Sequence, residues 1–366
     1  MNYNNFPFNT LIGADWKTFK NVTEGQHIAP EMRTKYMLTK GLCRLLSPLT
    51  ALQERKYNKL LANKPLENPP LFILGHWRSG TTFVHNIFAQ DKHFGYTTTY
   101  QALFPHYIMA LQGLFKPFMK FVMPDKRPTD NMELAPDLPQ EEEFVLTNMT
   151  ACNFYNFWFF PDKMQELCDR FLTFRNITHQ EQQEFIQTFE KVIKISLWNT
   201  GGTQFLSKSP PNTGRVKFLS EAFPEARFIY LMRNPYTVFE STRAFFLNTI
   251  QQLQFNSITE EEMEQNILQN YMKLYHAYKE RKKSLRPDLL YEVRFEDIEE
   301  DALAITEDIY RKLNIPGWDE ARPAIEKYIH SKAGYKKNSY EYQPRTIQLV
   351  NEHWSEALDD WNRGMV

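Results

Sequence analysis

The chain has 366 residues, with 43 Lys and Arg against 44 Asp and Glu, for a net charge of −1. That balance excludes a general polyanion binder driven by excess positive charge. With 42% hydrophobic and 24% charged residues, the composition also excludes disorder and fibrous repeats.

Residues 1–68 read as a helical extension. From Pro30 to Leu61 apolar side chains recur at helical spacing, among them Met37, Leu38, Leu42, Leu45 and Leu46. The stretch Lys64 to Pro70 then breaks the pattern, because proline ends helices and extends the residue before it. Leu71-Phe72-Ile73-Leu74 is a short apolar run stopped by Gly75, which suits a buried strand, and the helical pattern resumes from Thr81 to Gln90. Phe104 to Met123 is apolar but broken by Pro105, Lys116, Pro117 and Lys120. A buried or surface helix pair suits it better than a membrane anchor. Asn131 to Val145 holds five acids and no Lys or Arg. Its run Glu141-Glu142-Glu143 fits a helix start, where the dipole favours negative charge. Asn153 to Phe160 contains six aromatics in eight positions and reads first as core. A long helix follows from Gln180 to Asn199, closed by Gly201-Gly202.

Strands and helices alternate in the second half. Gln204–Ser207, Arg227–Met232 and Leu289–Phe295 read as strands. Thr213–Phe223, Pro235–Leu247 and Asp301–Leu313 read as helices. This alternation predicts an α/β fold with a central, mostly parallel sheet flanked by helices. No linker marks a second domain, so residues 69–366 read as one α/β domain with helical insertions, and 1–68 packs on it. Three cysteines, Cys43, Cys152 and Cys168, have neither metal-ligand spacing nor the even count of a disulfide framework. They suggest a reducing compartment. The N-terminus lacks the pattern of a signal peptide, and no run of about 18 apolar residues exists, so a cytoplasmic protein without a spanning segment is expected.

The segment Gly75-His76-Trp77-Arg78-Ser79-Gly80-Thr81-Thr82 lies between a predicted strand and a predicted helix. A loop there aims backbone N–H groups, and the positive end of the helix dipole, at one point, which suits a phosphate. The Gly-x4-Gly spacing is that of the nucleotide-binding loop, but Thr81 stands where that loop has lysine. Transfer of a γ-phosphoryl group would lack its main cation there, whereas Arg78 could serve a different anion. A second cluster follows the Arg227–Met232 strand. Arg233 stands at its end and Ser241 eight residues later, so the two can converge on one phosphate. Residues 207–245 carry six basic and three acidic groups, a local excess of positive charge where the strands of an open sheet end.

These residues resemble the sulfotransferases that use 3′-phosphoadenosine 5′-phosphosulfate (PAPS), whose architecture is like that of the P-loop nucleotide hydrolases. The resemblance runs from about Pro69 to Tyr340 and is nearest to the broad bacterial branch. It implies that Arg78, Ser79, Gly80, Thr81 and Thr82 hold the 5′-phosphosulfate, and that Arg233 and Ser241 hold the 3′-phosphate. Lys208 matches the family's strand-end lysine near the bridging oxygen, and Leu290 to Asp297 resembles its late Tyr-Glu…Glu-Asp segment. Lys332, Lys336 and Lys337 are further candidates for the 3′-phosphate. The implied reaction moves a sulfuryl group to an acceptor hydroxyl or amine, with PAP as product and no metal.

Such a step needs a base. The family's usual positions fail here: Pro210 stands two residues after Lys208, and Thr97 to Gln101 holds no carboxylate. His106, Glu142 and Glu143 remain as candidates. The aromatics of 153–160, with Phe104, Met109, Phe115 and Phe118, could alternatively wall an apolar pocket, which favours a lipophilic acceptor such as a sterol, lipid or phenol. Nothing indicates a nucleic-acid partner. Two other readings remain: a nucleotide phosphotransferase or NTPase on the same loop, and a PAP-binding protein without activity.

Overall fold

The computed structural model describes residues 9–123, 133–332 and 341–364. They divide into two compact units. The first takes the described residues of Met1–Leu66, Tyr96–Thr200 and Phe245–Met263. The second takes those of Glu67–Gly95, Gly201–Ala244 and Glu264–Val366. The segment read from sequence as an N-terminal extension thus shares a unit with residues 96–200 and 245–263.

The second unit contains the sheet. Its five strands are β1 (Leu71–Gly75), β2 (Phe94–Gly95), β3 (Gln204–Lys208), β4 (Arg227–Met232) and β5 (Leu290–Arg294). They lie side by side in the order β2-β3-β1-β4-β5, and every pair is parallel. Every residue of β1 and β3 is buried, as expected of parallel strands covered on both faces. Phe72 of β1 stacks on Phe228 of β4 at 5.3 Å, and Tyr230 of β4 stacks on Tyr278 at 3.7 Å. β1, β3, β4 and β5 are the strands that the apolar runs predict. β2 has two residues and leaves no periodic signal. The chain leaves β1 for β2 and β3 on one side and takes up β4 and β5 on the other. Such a reversal opens a crevice at the C-terminal strand ends.

The first unit is helical. The helices Arg33–Leu46 and Thr50–Leu60 realise the periodicity seen from Pro30 to Leu61. His179–Thr200 is the predicted long helix. Leu61, Tyr100, Ile108, Met109, Met119 and Ile195 form one core cluster of this unit. The expected helix pair between Phe104 and Met123 is instead a single helix, Ile108–Val122, after a 3-10 turn at Pro105–Tyr107. It runs through Pro117, which removes only the donor that would reach the Gly113 carbonyl. Burial of Met119 on one side outweighs that loss. The aromatic stretch at 153–160 is core: Phe154–Trp158 is a buried 3-10 helix in which Tyr155 stacks on Trp158 at 4.8 Å. Among the described residues no helix is long and apolar enough to cross a membrane.

Candidate active site

The loop after β1 lies entirely in the second unit, as do β3, β4 and the residues that follow them. Gly80 has φ +88° and caps the helix Thr81–Phe88. A Cβ on Gly80 would lie 2.2 Å from two ring carbons of Phe295, so both conformation and space require glycine. Arg78 also takes a left-handed backbone, φ 70°, which is uncommon for a side chain of its size.

That conformation lets Arg78 join the two clusters. Its Nε donates to Ser241 Oγ at 2.8 Å, and Arg233 Nη1 donates to the Arg78 carbonyl at 3.0 Å. The Arg233 guanidinium rests over the Phe295 ring at 4.7 Å. Lys208, the last residue of β3, is buried, and its Nζ lies 3.4 Å from Thr82 Oγ1. Ser79 and Thr81 are buried within the loop. Arg78, Ser79, Gly80, Thr81, Thr82, Lys208, Arg233 and Ser241 are therefore all at the C-terminal ends of β1, β3 and β4 or on the segments that follow. Two neighbours carry no warning in the sequence. Ser209 Oγ and Thr242 Oγ1, each next in the chain to a residue of the cluster, are buried with no hydrogen-bond partner among the described residues.

The late acidic segment braces this arrangement. Glu296 accepts the Asn234 N–H at 3.0 Å and the Trp361 indole N–H at 3.2 Å, which fixes the turn just after Arg233. Glu292 accepts from Tyr278 and Lys282 at 2.6 Å each, and Asp297 pairs with Arg294 at 2.6 Å.

Burial sets the electrostatics of the histidines. His76, in the loop, packs 4.8 Å from the Tyr271 ring and directs Nδ1 to the Trp77 carbonyl at 2.8 Å. Desolvation lowers its pKa to about 4, against a weaker upward pull from that bond. His85 is held well below the ordinary value by burial first and by the Lys208 charge second. Since the folded pKa of His76 lies below the unfolded value, the unfolded chain binds the proton first. The stabilisation is complete above about pH 6.5 and is lost as pH falls toward the folded value. At pH 5 His76 alone is expected to remove about 2 kcal/mol relative to pH 8. Urea unfolding at the two pH values should show this loss, and His76→Gln should shrink the difference. An equal difference in the variant would assign the acid sensitivity elsewhere.

The remaining candidates lie in the first unit. His106 is buried, its Nε2 lies 3.0 Å from the Asn148 carbonyl, and its Nδ1 has no hydrogen-bond partner among the described residues. Burial lowers its pKa. Glu142 and Glu143 open the short helix Glu142–Thr147, and both are buried. Glu143 Oε1 accepts the Phe154 N–H at 3.2 Å. Of the residues read as a possible pocket wall, Met109 lines a cavity of about 670 Å³ together with Gly113, Pro117 and Trp198. Phe104 and Phe115 stack at 5.8 Å and pack on the core cluster, whereas Phe118 is 62% exposed. Lys332 lies just past the helix Trp318–Ser331, with its ammonium 5.3 Å from the Tyr328 ring. Lys336 and Lys337 lie outside the described residues.

The sequence profile of the sulfotransferase family matches residues 69–320, well over half of the chain and all of the strands and loops just described. The chain belongs to the sulfotransferase family. This sulfotransferase is 29% identical over 313 residues to the omega-hydroxy-beta-dihydromenaquinone-9 sulfotransferase Stf3 of Mycobacterium bovis, a match that spans 84% of this chain and 78% of that protein. The Mycobacterium tuberculosis protein of the same name matches equally. The fold of this chain is similar to that of the sulfotransferase STF9 from Mycobacterium avium, with a TM-score of 0.70 at 16% identity over 92% of this chain and 88% of that one. The STF1 structure from Mycobacterium tuberculosis gives 0.68 at 14% identity, over 93% and 90%.

Proposed function

We propose that this sulfotransferase moves a sulfuryl group from PAPS to the hydroxyl of a lipophilic small molecule. The observation that carries the reading is the convergence of Arg78, Thr82, Lys208, Arg233 and Ser241 beside the strand ends. A donor with one phosphate at its 3′ position and a phosphosulfate at its 5′ position needs cations and hydroxyls at two points. The buried, unpartnered hydroxyls of Ser209 and Thr242 fit such a ligand, because each would gain an acceptor oxygen.

PAPS, when bound, supplies the activated sulfuryl group. The loop amides, Ser79, Thr81, Thr82 and Arg78 hold its 5′ end, and Arg233 and Ser241 take the 3′-phosphate. Lys208 faces the bridging oxygen and balances the charge that grows on the leaving phosphate as the sulfur–oxygen bond breaks. The acceptor oxygen bonds to sulfur and gives up its proton to a base, for which His106, Glu142 and Glu143 are the candidates by side-chain chemistry. Whichever of His106→Ala, Glu142→Gln and Glu143→Gln removes the base is expected to lower kcat about 10²–10⁴-fold with little change in PAP affinity. Full activity in all three variants would remove these residues from the reaction.

For the acceptor, support comes from the relative, whose name identifies a hydroxylated dihydromenaquinone, a lipophilic molecule with a hydroxyl group. Calorimetric titration tests the donor. PAP is expected to bind far more tightly than ATP with magnesium, since Thr81 replaces the lysine that grips a γ-phosphate. Preference for ATP with magnesium would overturn the reading in favour of a phosphotransferase. Turnover of carbohydrates alone, in a panel with lipophilic alcohols, would overturn the acceptor class.

A further inference from the structure

The helix Ile108–Val122 carries two apolar faces, and only one is used. Met119 points into the core of the first unit, and Phe115 packs against that core. Leu114, Phe118 and Phe121, spaced i, i+4 and i+7, form a second stripe that points outward. They are 68%, 62% and 86% exposed. Such a stripe is not the general condition of this surface. Among the described residues eleven large hydrophobic side chains are exposed, and nine of them belong to the first unit.

The helix that carries the stripe and the helix packed on it are rich in positive charge. Ile108–Val122 contains Lys116 and Lys120 and no carboxylate, and the helix packed on it, Thr50–Leu60, contributes Arg55, Lys56 and Lys59. Against these five bases the two helices hold one acid, Glu54, whose two oxygens are taken by Lys191 at 2.6 Å. Among the described residues Asp137 pairs with Lys116 of this helix. Lys56 donates to the Met109 carbonyl at 2.7 Å and lies 5.1 Å from the Trp198 ring, which is itself 40% exposed.

We infer that this face docks on an anionic lipid bilayer, with Leu114, Phe118 and Phe121 inserted at the headgroup level and the lysines on lipid phosphates. An apolar stripe rimmed by cations matches the two chemistries of that surface, acyl chain and phosphate. A second copy of the chain fits less well, because Lys116 and Lys120, on the helix of the stripe, would meet their own kind. The helix lies in the interface and does not span it, since Met119, on its other side, is committed to the core. The cavity of about 670 Å³ opens beside the stripe: its lining residues Gly113, Pro117 and Lys120 each precede a stripe residue in the chain. The docking does not depend on the sulfotransfer chemistry or on the acceptor, and it is measured without either.

Flotation of the full chain tests it, with vesicles of phosphatidylcholine and phosphatidylglycerol at about 3:1 and with phosphatidylcholine alone. Binding is expected on the anionic vesicles, weaker at high salt. It should fall at least ~10-fold for the triple variant Leu114→Ser, Phe118→Ser, Phe121→Ser, whose exposed sites leave the melting temperature unchanged. Lys59→Glu with Lys120→Glu should reduce binding to anionic vesicles only. No flotation of the unaltered chain, or equal flotation of the triple variant, would overturn the inference. So would a dimer in solution that the triple variant converts to monomer, since the stripe would then be covered by a second copy.

Discussion

Lys208→Ala is expected to lower turnover by about 10²–10³-fold while PAP affinity changes little. The ammonium ends β3 inside the protein, 3.4 Å from the Thr82 hydroxyl, so it is already positioned and largely desolvated. A charge held there gains strength as negative charge develops on the leaving phosphate and needs no rearrangement to do so. PAP keeps the former bridging oxygen as one of three equivalent terminal phosphate oxygens, whose charge the loop amides and hydroxyls share, so product binding depends less on this one cation. Loss of a buried cation also removes a desolvation cost, and the fold should survive. A second readout follows from His85, whose low pKa owes its second-largest cause to Lys208. In Lys208→Ala the His85 titration should move upward, which confirms that the charge, and not only the shape, has gone. Single-turnover kinetics with an unchanged rate would exclude Lys208 from the chemistry.

Gly80→Ala is expected to weaken PAP binding about 100-fold or more and to cost about 2–5 kcal/mol of stability. The backbone at φ +88° disfavours any side chain, and the new Cβ would meet the Phe295 ring at 2.2 Å. Phe295 cannot move alone, because it supports the Arg233 guanidinium, and Arg233 in turn holds the Arg78 carbonyl. The disturbance therefore reaches both ends of the proposed donor site. Phe295→Leu in the same chain should recover part of the stability, since it makes room, yet not the affinity, since the aromatic platform under Arg233 is lost. Calorimetric titration that finds native PAP affinity in Gly80→Ala would disconnect the loop from donor binding.

The strand–turn–helix at Gly75–Thr82 was legible in sequence where glycine spacing and the local apolar pattern coincide. Gly75 and Gly80 at fixed spacing, after an apolar run and before a helical pattern, specify a strand, a tight turn and a helix N-terminus within one short segment. The same holds for Arg233, which follows an apolar strand, and for Lys208, which ends one. The base was not legible. His106, Glu142 and Glu143 are each plausible by type, and no local pattern separates a reacting group from a structural one. Helix Ile108–Val122 was hard for a related reason. Gln112, Lys116 and Lys120 mark one polar face of this run, but nothing in the sequence shows that Phe118 and Phe121 also face outward.

By itself the sequence determined the alternation of strands and helices, the parallel sheet, the glycine turn after β1 and Thr81 in the place of a lysine there. These follow from backbone sterics and from patterns a few residues long. Tertiary structure decided what meets across the chain: Arg78 on Ser241, 163 residues apart, Phe295 beneath Gly80 and Arg233, and the buried hydroxyls of Ser209 and Thr242. It also decided which apolar side chains were left outside. Those outcomes depend on how strands are ordered in the sheet and which faces pack, and no local pattern encodes that choice.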